Sequence, residues 1–282
     1  MKKSKNDNLK IGLALGGGAA LGFAHIGVIK VLEENGIKID YIAGTSMGSV
    51  IGVLYACGLT IDQMLEEVKK FDIKQITKFN GFRVLKEGLY NTQKMESYIE
   101  NITGIDKLEN TKIPFRCNAV DLYTGQEYVF KKGKLGEAIR ASTAIPGLFK
   151  SVIKDNKFLV DGGVVNNNPF NIVKDMGADF IIAVDVVPKY VQKDKINNVV
   201  KIIMNSFGLL QNRHEIEKRS HLKENGYLIE ISSKKDEQDY SQESIQFACK
   251  LGEEIALKHI EKIKKEIRHF KRQLNKKDRQ TN

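Results

Sequence analysis

The sequence has few cysteines and none of the cysteine spacings that bind metals. Its three cysteines, Cys57, Cys117 and Cys249, are an odd number, lie far apart and form no CxxC pair. This pattern argues against a disulfide framework and against a thiolate metal site. A reducing cytoplasm fits it best, and the sequence predicts neither a metal nor another cofactor.

The sequence also lacks internal repeats, and its low-complexity composition is confined to the basic C-terminal end. Its 282 residues, 41% of them hydrophobic, suffice for one large domain or for a domain with an appendage. The formal net charge of +10 indicates attraction to an anionic membrane surface, nucleic acid or substrate, without choosing among them. Because aromatic interleaving and a known nucleic-acid module are missing, no nucleic-acid partner is expected.

Two apolar segments resemble membrane signals but are interpreted as parts of a folded domain. A basic start precedes apolar residues 11–24, yet Asp7 and a run of glycines interrupt the pattern of a signal peptide. Residues 41–61 are uncharged and long enough to span a bilayer. Small and polar residues dilute this run, and Asp40 and Asp62 flank it where Lys or Arg would be expected. A buried strand and helix is predicted there instead.

Short β-rich runs alternate with helical patterns from residue 10 onward, which predicts a mostly parallel sheet covered by helices. The composition becomes rich in Lys, Asn, Gln and Glu after Pro188. We therefore expect a first domain over residues 9–188 and a helical, basic part over residues 189–282 that packs on it or extends it. Strands are predicted at 11–15, 40–43, 114–120, 127–130, 152–153, 158–160 and 180–187, helices at 20–35, 47–57, 60–71, 137–142, 168–177, 197–222 and from 241 onward, and a loop or lid at 73–88.

Residues 44–48 form a GxSxG motif between a predicted strand and a predicted helix. A nucleophile elbow needs this setting, because the turn is tight and a side chain at Gly44 or Gly48 would collide with neighbouring backbone. The turn would place the Ser46 hydroxyl at a helix N-terminus, where partial positive charge favours a developing anion. GxSxG also occurs in structural turns, but the strand–turn–helix setting favours Ser46 as a catalytic nucleophile.

A glycine-rich segment, residues 16–22, follows the first predicted strand. Consecutive backbone N–H groups without bulky side chains form an anion cradle. One candidate anion is a nucleotide phosphate, but the spacing does not complete GxGxxG and no GK[ST] follows. The other is the oxyanion of an acyl-transfer intermediate. The nearby serine motif favours the second interpretation, with Gly17, Gly18 and Ala19 as the oxyanion hole.

Asp161, Gly162 and Gly163 follow one another at the end of a β-rich run. An aspartate at the end of a strand can point into the same crevice as a residue at the end of another strand. Asp-Gly is also common in plain turns, and this motif taken alone favours the turn.

The three motifs, in this order, resemble the patatin-like phospholipase family. Its members carry a glycine-rich oxyanion loop, a GxSxG elbow and a DGG or DGA base motif, and residues 140–146 also resemble the segment before the aspartate in bacterial members. The resemblance covers about residues 10–187. It implies a three-layer α/β/α sandwich with a mostly parallel central sheet, here with a basic helical C-terminal extension. It also implies metal-free hydrolysis of acyl lipids such as phospholipids, through an acyl-enzyme, with Ser46 as nucleophile and Asp161 as base.

Two positions depart from the family pattern. Ala19 stands where a third glycine is usual, and Leu21 stands where Lys or Arg is usual. The Cβ of Ala19 narrows the allowed backbone angles, and Leu21 removes a cation near the loop. These departures predict a reduced rate or an altered substrate choice. They leave two alternatives open: a catalytically weak lipid-binding protein of the same fold, and a nucleotide-binding protein that uses the glycine loop.

Histidine is the usual base for a catalytic serine, but no histidine here lies in a catalytic motif. His25 lies in a predicted helix and is interpreted as a packed structural residue. The other four, His214, His221, His259 and His269, lie in polar, basic segments downstream. An aspartate with a pKa of about 3.9 is a weak base for an alcohol, so burial is expected to raise the pKa of Asp161 in a water-poor crevice.

The C-terminal segment predicts a basic amphipathic helix. Its apolar residues recur at alternating four- and three-residue steps, at Ala256, Ile260, Ile263, Ile267, Phe270 and Leu274, and Lys and Arg cover much of the rest. One interpretation is a helix packed on the domain with a solvated face. The other is a peripheral contact with anionic membrane, which would place a cytoplasmic protein at the membrane surface.

Overall fold

Eight strands form a mixed, mostly parallel sheet at the centre of the molecule. The structure is a computed structural model that describes residues 9–81, 88–186, 199, 201–203, 205–209, 222, 225–233 and 239–280. The strands of this sheet are β1 (Ile11–Leu15), β2 (Tyr41–Gly44), β5 (Phe115–Asp121), β6 (Glu127–Phe130), β7 (Val152–Lys154), β8 (Lys157–Asp161), β9 (Phe180–Asp185) and β10 (Gly226–Glu230). A separate two-stranded hairpin pairs β3 (Lys78–Phe79) with β4 (Tyr90–Asn91).

The order of the strands across the sheet is β10-β9-β1-β2-β5-β8-β7, and β6 also pairs with β5. All pairings from β10 to β5 are parallel, whereas β6, β7 and β8 add antiparallel pairings at the other side. The carboxyl ends of β1, β2 and β9 therefore lie at one edge of the sheet, where ligands bind in open α/β folds.

The helices complete three layers around this sheet. They are α1 (Ala24–Glu34), α2 (Met47–Ala56), α3 (Ile61–Lys70), α4 (Ile73–Ile76), α5 (Lys94–Thr103), α6 (Leu135–Ser142), α7 (Phe170–Asp175) and α8 (Gln242–Gln280). Leu13 and Leu15 of β1 face the large core under α1, α2 and α8. Ala14 faces a second core under α7. This alternation places helices on both faces, and the predicted three-layer α/β/α fold is confirmed.

Local sequence signals located most of the elements near the site. Thr60 and Gln63 form a capping box at the start of α3, where the sequence predicts that a helix begins. The uncharged run at 41–61 divides into β2, the serine turn and α2, as predicted. Across the described part of the chain, no helix is both long and apolar enough to cross a bilayer. The three cysteines are buried and unpaired.

Several elements differ from their predictions. The segment at 73–88 contains α4 and β3, and β3 pairs with β4 just beyond the segment; residues 82–87 lie outside the described part. Helix α5 and strand β10 had no predicted counterpart. Of the helix predicted at 197–222, the residues 199, 201–203 and 205–209 are helical and residue 222 is a 3-10 turn; the remainder lies outside the described residues. Helix α7 begins at Phe170 with Pro169 at its N-cap position, two residues after the predicted start, and the Asn168 side chain donates to the Val184 carbonyl oxygen.

Helix α8 packs along α1, as the first interpretation of the C-terminal segment predicts. Gly27 and Gly252 allow the closest approach, since a Cβ at either position would lie within 2.1 Å of the facing backbone. Ala256, Ile260 and Ile263 are buried, and Phe270 contacts Phe180 at the start of β9. The basic end of α8 therefore lies at the edge of the sheet opposite to the carboxyl ends of β1 and β2. The division into residues 9–188 and 189–282 stays a prediction.

Candidate active site

Ser46 occupies a strained turn between β2 and α2. Its backbone has φ +51° and ψ −126°, a conformation that costs free energy for any residue with a side chain. The two glycines of the motif make this turn feasible. A Cβ at Gly44 would lie 2.4 Å from the Gly48 carbonyl oxygen, and one at Gly48 would lie 2.1 Å from the Leu15 carbonyl oxygen. The predicted collision with backbone is confirmed at both positions, and the turn has the geometry of a nucleophile elbow.

Asp161 reaches the same edge of the sheet from the opposite direction. It ends β8, which is antiparallel to β5 and pairs Asp161 with Ala119. β5 pairs Cys117 with Gly44 of β2. Asp161 therefore lies two residues farther toward the carboxyl ends of β2 and β5 than Gly44 does. The sequence argument placed Asp161 at the end of a strand without giving the direction of that strand. In the structure β8 runs antiparallel to β5. It starts outside the carboxyl edge of the sheet and runs toward the serine turn, so that its last residue, Asp161, lies beside that turn.

The Asp161 carboxyl is fully buried. Desolvation raises its pKa from the ordinary value of 3.8 to about 7, against the opposing effects of the Ser46 hydroxyl and of the Gly163 N–H, which donates to Oδ1 at 2.8 Å. Among the described residues, Oδ2 has no partner in standard hydrogen-bond geometry. The Ser46 hydroxyl lies close enough to the carboxyl to lower its pKa. The expected rise in pKa is supported.

The glycine loop packs directly against the serine turn. A Cβ on Gly17 would lie 3.0 Å from Cβ of Ser46, so only glycine allows this approach. The Gly17 N–H donates to the Asn167 carbonyl oxygen at 3.2 Å. No described acceptor takes the N–H of Gly18 or Ala19. Ala19 has φ +46°, in the left-handed region that favours the glycine usual at this position.

His25 holds the start of the glycine loop. It is fully buried in α1, and its Nε2 lies 2.7 Å from the Gly16 carbonyl oxygen. Burial lowers its pKa to about 4, so the ring is neutral near pH 7 and Nε2–H donates to this carbonyl. The structural interpretation of His25 is supported. Leu21, the second departure from the family pattern, is buried in the large core.

Several polar residues that connect the three motifs were not identified from the sequence. Thr45 donates to Asn118 Oδ1 at 2.7 Å and to the Asn166 carbonyl at 3.1 Å. Asn167 Nδ2 donates to the Gly17 carbonyl at 3.2 Å, and Ser142 Oγ accepts from the Ser46 N–H at 3.1 Å. These bonds join the elbow, the glycine loop and the segment after Asp161. The signals available in the sequence were Asn118 within an apolar strand and the run of three asparagines after Asp161.

Gly162 is required by this network, because a Cβ there would lie 2.5 Å from the Asn118 side chain. Gly163 supplies the N–H that fixes the Asp161 carboxyl. Within the described residues, no three His, Cys, Asp or Glu side chains cluster as metal ligands would.

A serine on a strained strand–helix turn, with a buried carboxyl and a glycine loop beside it, is an arrangement that is found in serine hydrolases built on an α/β sheet. Within this class the family is also shown. A family model described as patatin-like phospholipase matches residues 13–174, which is more than half of the chain. The chain therefore belongs to the patatin-like phospholipase family.

Curated relatives share this part of the chain. An uncharacterized NTE family protein of Mycobacterium tuberculosis is 36% identical over 177 residues, which cover 63% of this chain and 49% of the relative. A lysophospholipase of Aspergillus fumigatus is 36% identical over 179 residues, which cover 62% of this chain and 12% of the relative. The chain thus spans about half the length of the mycobacterial relative and a small part of the fungal one.

Solved structures share the fold at low sequence identity. VipD from Legionella pneumophila superposes with a TM-score of 0.57 at 13% identity, covering 91% of this chain and 67% of VipD. The type III effector protein ExoU superposes with a TM-score of 0.51 at 12% identity, covering 90% of this chain and 53% of ExoU. At these identities the likeness shows the α/β fold alone.

Proposed function

We propose that the protein is a serine lipid acyl hydrolase in which Asp161 acts directly on Ser46. The observation that carries this proposal is the buried Asp161 carboxyl, with a pKa of about 7, beside a serine held in the elbow conformation. A base with a pKa near the working pH is suited to accept and return a proton. A carboxyl with an ordinary pKa would be a far weaker base for an alcohol.

In the proposed first step, ionised Asp161 removes the proton from Ser46 Oγ while this oxygen attacks an ester carbonyl. The N–H groups of Gly18 and Ala19 stabilise the oxyanion, since the N–H of Gly17 is engaged with Asn167. The start of α2 adds partial positive charge near Ser46. When the intermediate collapses, protonated Asp161 gives its proton to the leaving alcohol, and the acyl group stays on Ser46.

In the second step a water molecule replaces the alcohol. Asp161 removes a proton from this water, whose oxygen attacks the acyl-enzyme carbonyl. Collapse of the second intermediate releases the fatty acid and returns the proton to Ser46. Because burial holds the pKa of Asp161 near 7, the same carboxyl serves as base and as acid in both steps.

Apolar side chains beside the elbow favour an acyl chain as the bound group. They enclose a small cavity of about 40 Å³, so flexible side chains such as Met47 must move to admit the chain. Met47, Ile51 and Leu54 line it from one face of α2, over about 10 Å along the helix axis. Met64 and Met95 close it from α3 and α5. The fungal relatives are named lysophospholipases, which makes a phospholipid or lysophospholipid a suitable first substrate.

The nucleotide-binding alternative is less well supported. A phosphate cradle needs several unengaged N–H groups, but those of Gly16 and Gly17 donate to the carbonyls of Val184 and Asn167. Two donors remain, a number that suits an oxyanion.

Hydrolysis of a soluble p-nitrophenyl ester tests the proposal. Ser46→Ala is expected to lose nearly all activity because it removes the attacking oxygen. Ser97→Ala is the matched control, since Ser97 is exposed on α5 and is expected to leave the rate unchanged. Equal activity of Ser46→Ala and the wild type would refute the assignment.

A peripheral contact between α8 and anionic membrane stays a proposal. The apolar stripe of α8 is buried as far as Ile263, and Ile267 and Phe270 also pack on the core. Any such contact would therefore use the basic face near Lys271 and Arg272. Reversing these two charges in the full chain tests the contact by vesicle co-sedimentation without removing core residues. Unchanged binding to anionic vesicles would argue against it.

A further inference from the structure

A small apolar cluster separate from the main core borders the candidate active site. Its buried members are Ile145, Leu148 and Phe207, and its partly buried members are Ala19, Leu89, Tyr90, Phe149, Val164 and Ile203. Ala19 belongs to the glycine loop, and Val164 follows Gly163. This group, called the mouth cluster below, therefore lies at the entrance to the site.

The β3–β4 hairpin is attached to the mouth cluster by backbone hydrogen bonds. The Tyr90 N–H donates to the Leu148 carbonyl, and the Lys150 N–H donates to the Tyr90 carbonyl, each at 2.9 Å. The segment that holds Leu148 and Lys150 is also attached to the site a few residues earlier. There the Asp161 N–H donates to the Ala144 carbonyl oxygen at 2.9 Å. The hairpin thus projects from the entrance of the site.

Large apolar side chains on this side of the molecule are exposed. Phe79 of the hairpin is 60% exposed, and its ring contacts only one described aromatic ring, that of Tyr90, at 5.9 Å between centroids. On the helical segment beyond β9, Ile203 packs in the mouth cluster while the neighbouring Ile202 is 53% exposed and Val199 is 65% exposed. Exposed apolar side chains that lie together beside a site mark surfaces that bind a protein or a membrane.

Lysines outnumber acidic residues beside these side chains. Lys74 and Lys78 are exposed close to Phe79 in the sequence, and Lys201 precedes Ile202, whereas Asp72, the acidic residue nearest Phe79 in the sequence, caps α4. Exposed apolar side chains among lysines match the chemistry of an anionic lipid surface, where the apolar groups enter the interface and the lysines meet the headgroups.

We propose that Phe79, Val199 and Ile202, with the surrounding lysines, dock the protein on an anionic phospholipid surface and place the entrance of the site against it. This inference rests on the proposed lipid hydrolysis, because it gives the exposed groups a surface that also supplies the substrate. The docking surface is distinct from the basic end of α8, which lies at the opposite edge of the sheet. The two contacts can therefore be tested separately.

Vesicle binding tests the docking surface without catalysis. The full chain carrying Ser46→Ala is mixed with phosphatidylcholine vesicles that contain or lack phosphatidylglycerol, and bound protein is separated by flotation. The double change Phe79→Ser and Ile202→Gln is expected to weaken binding to anionic vesicles roughly tenfold or more, because two large apolar groups no longer enter the interface. Leu257→Gln is the matched control, since Leu257 is also helical and 53% exposed but lies on α8.

Each outcome bears on the proposal. Loss of binding in the double variant, with Leu257→Gln unchanged, supports it. Equal binding of both variants and the parent overturns it, as does loss only after charge reversal at Lys271 and Arg272. Equal binding to vesicles without phosphatidylglycerol overturns the choice of an anionic surface. A change in self-association of the double variant, with vesicle binding intact, would assign the surface to a second copy and also overturn it.

Activity on a soluble ester separates this inference from the proposed function. In the protein with Ser46 intact, the double variant is expected to hydrolyse p-nitrophenyl butyrate at the wild-type rate and vesicle lipid more slowly. Absence of hydrolysis in the wild type, with docking lost in the double variant, would refute the proposed function and leave the docking surface supported.

Discussion

Replacing Asp161 with Asn is expected to change activity and stability in opposite directions. Activity should fall roughly a hundred- to ten-thousandfold, because the variant has no base for Ser46. Stability should rise at neutral and alkaline pH, because the wild type must bury an ionised carboxylate there and the variant buries a neutral amide. The amide can still accept the Gly163 N–H through its oxygen.

The size of the stability effect follows from the pKa of Asp161. A carboxyl whose pKa rises from 3.8 in the unfolded chain to about 7 in the folded one leaves stability unaffected below pH 3.8. It costs stability as the pH rises toward 7, and the cost is constant above that. At about 1.4 kcal/mol for each unit of difference, the full cost is about 4 kcal/mol at pH 8 and about 2 kcal/mol at pH 5.

The measurement compares melting temperatures of the wild type and Asp161→Asn from pH 5 to pH 8. The difference in free energy should grow by about 2 to 3 kcal/mol over this range, which widens the difference in melting temperature by about 4 to 10 °C. Asp155→Asn is the control, because Asp155 is exposed in the β7–β8 turn and its effect should not follow this course. A difference that stays constant or narrows with rising pH would refute the assignment of a raised pKa to Asp161.

Three further predictions concern the same site. The kcat/KM of the wild type on a soluble ester should rise with pH and level off above about pH 7, because only ionised Asp161 accepts the proton; a pH profile that is half-maximal near pH 4 would contradict this. Gly48→Ala should lose more than about 3 kcal/mol of unfolding free energy or fail to fold, because its Cβ would lie 2.1 Å from backbone, whereas Gly52→Ala in the same helix meets only side chains at 3.1 Å or more; urea denaturation compares the two, and equal losses would contradict the steric account. His25→Asn should lower kcat more than it changes KM, because the imidazole no longer donates to the Gly16 carbonyl oxygen and the glycine loop is held less firmly. Unchanged kcat in steady-state assays would show that His25 has no positioning role.

The sequence located the parts of the site that depend on local geometry. A tight turn between a strand and a helix requires small residues around its nucleophile, so Gly44, Ser46 and Gly48 could be interpreted from their spacing. The glycine loop was visible for the same reason. Asp161 needed the resemblance to a family, since Asp-Gly is common in turns and its approach through antiparallel β8 depends on strand pairing across the sheet.

Other features could not be predicted, because they arise from contacts between distant segments. Asn118 and Asn167 join three motifs that are widely separated in the chain, and nothing in their local sequence shows which carbonyls they reach. Gly17 was predicted as an oxyanion donor, but its N–H is engaged by Asn167. Strand β10 is short and follows a polar region, so its place beside β9 depends on pairing rather than on local pattern.

Covalent labelling with a fluorophosphonate tests the central claim most directly, because only a serine with an activated hydroxyl reacts with this reagent. Intact-protein mass spectrometry at pH 8 is expected to show one adduct on the wild type, located at Ser46 by peptide mapping. Ser46→Ala should show none, and Asp161→Asn should react far more slowly. A wild type that stays unlabelled, or a Ser46→Ala variant labelled to the same extent, would contradict the account.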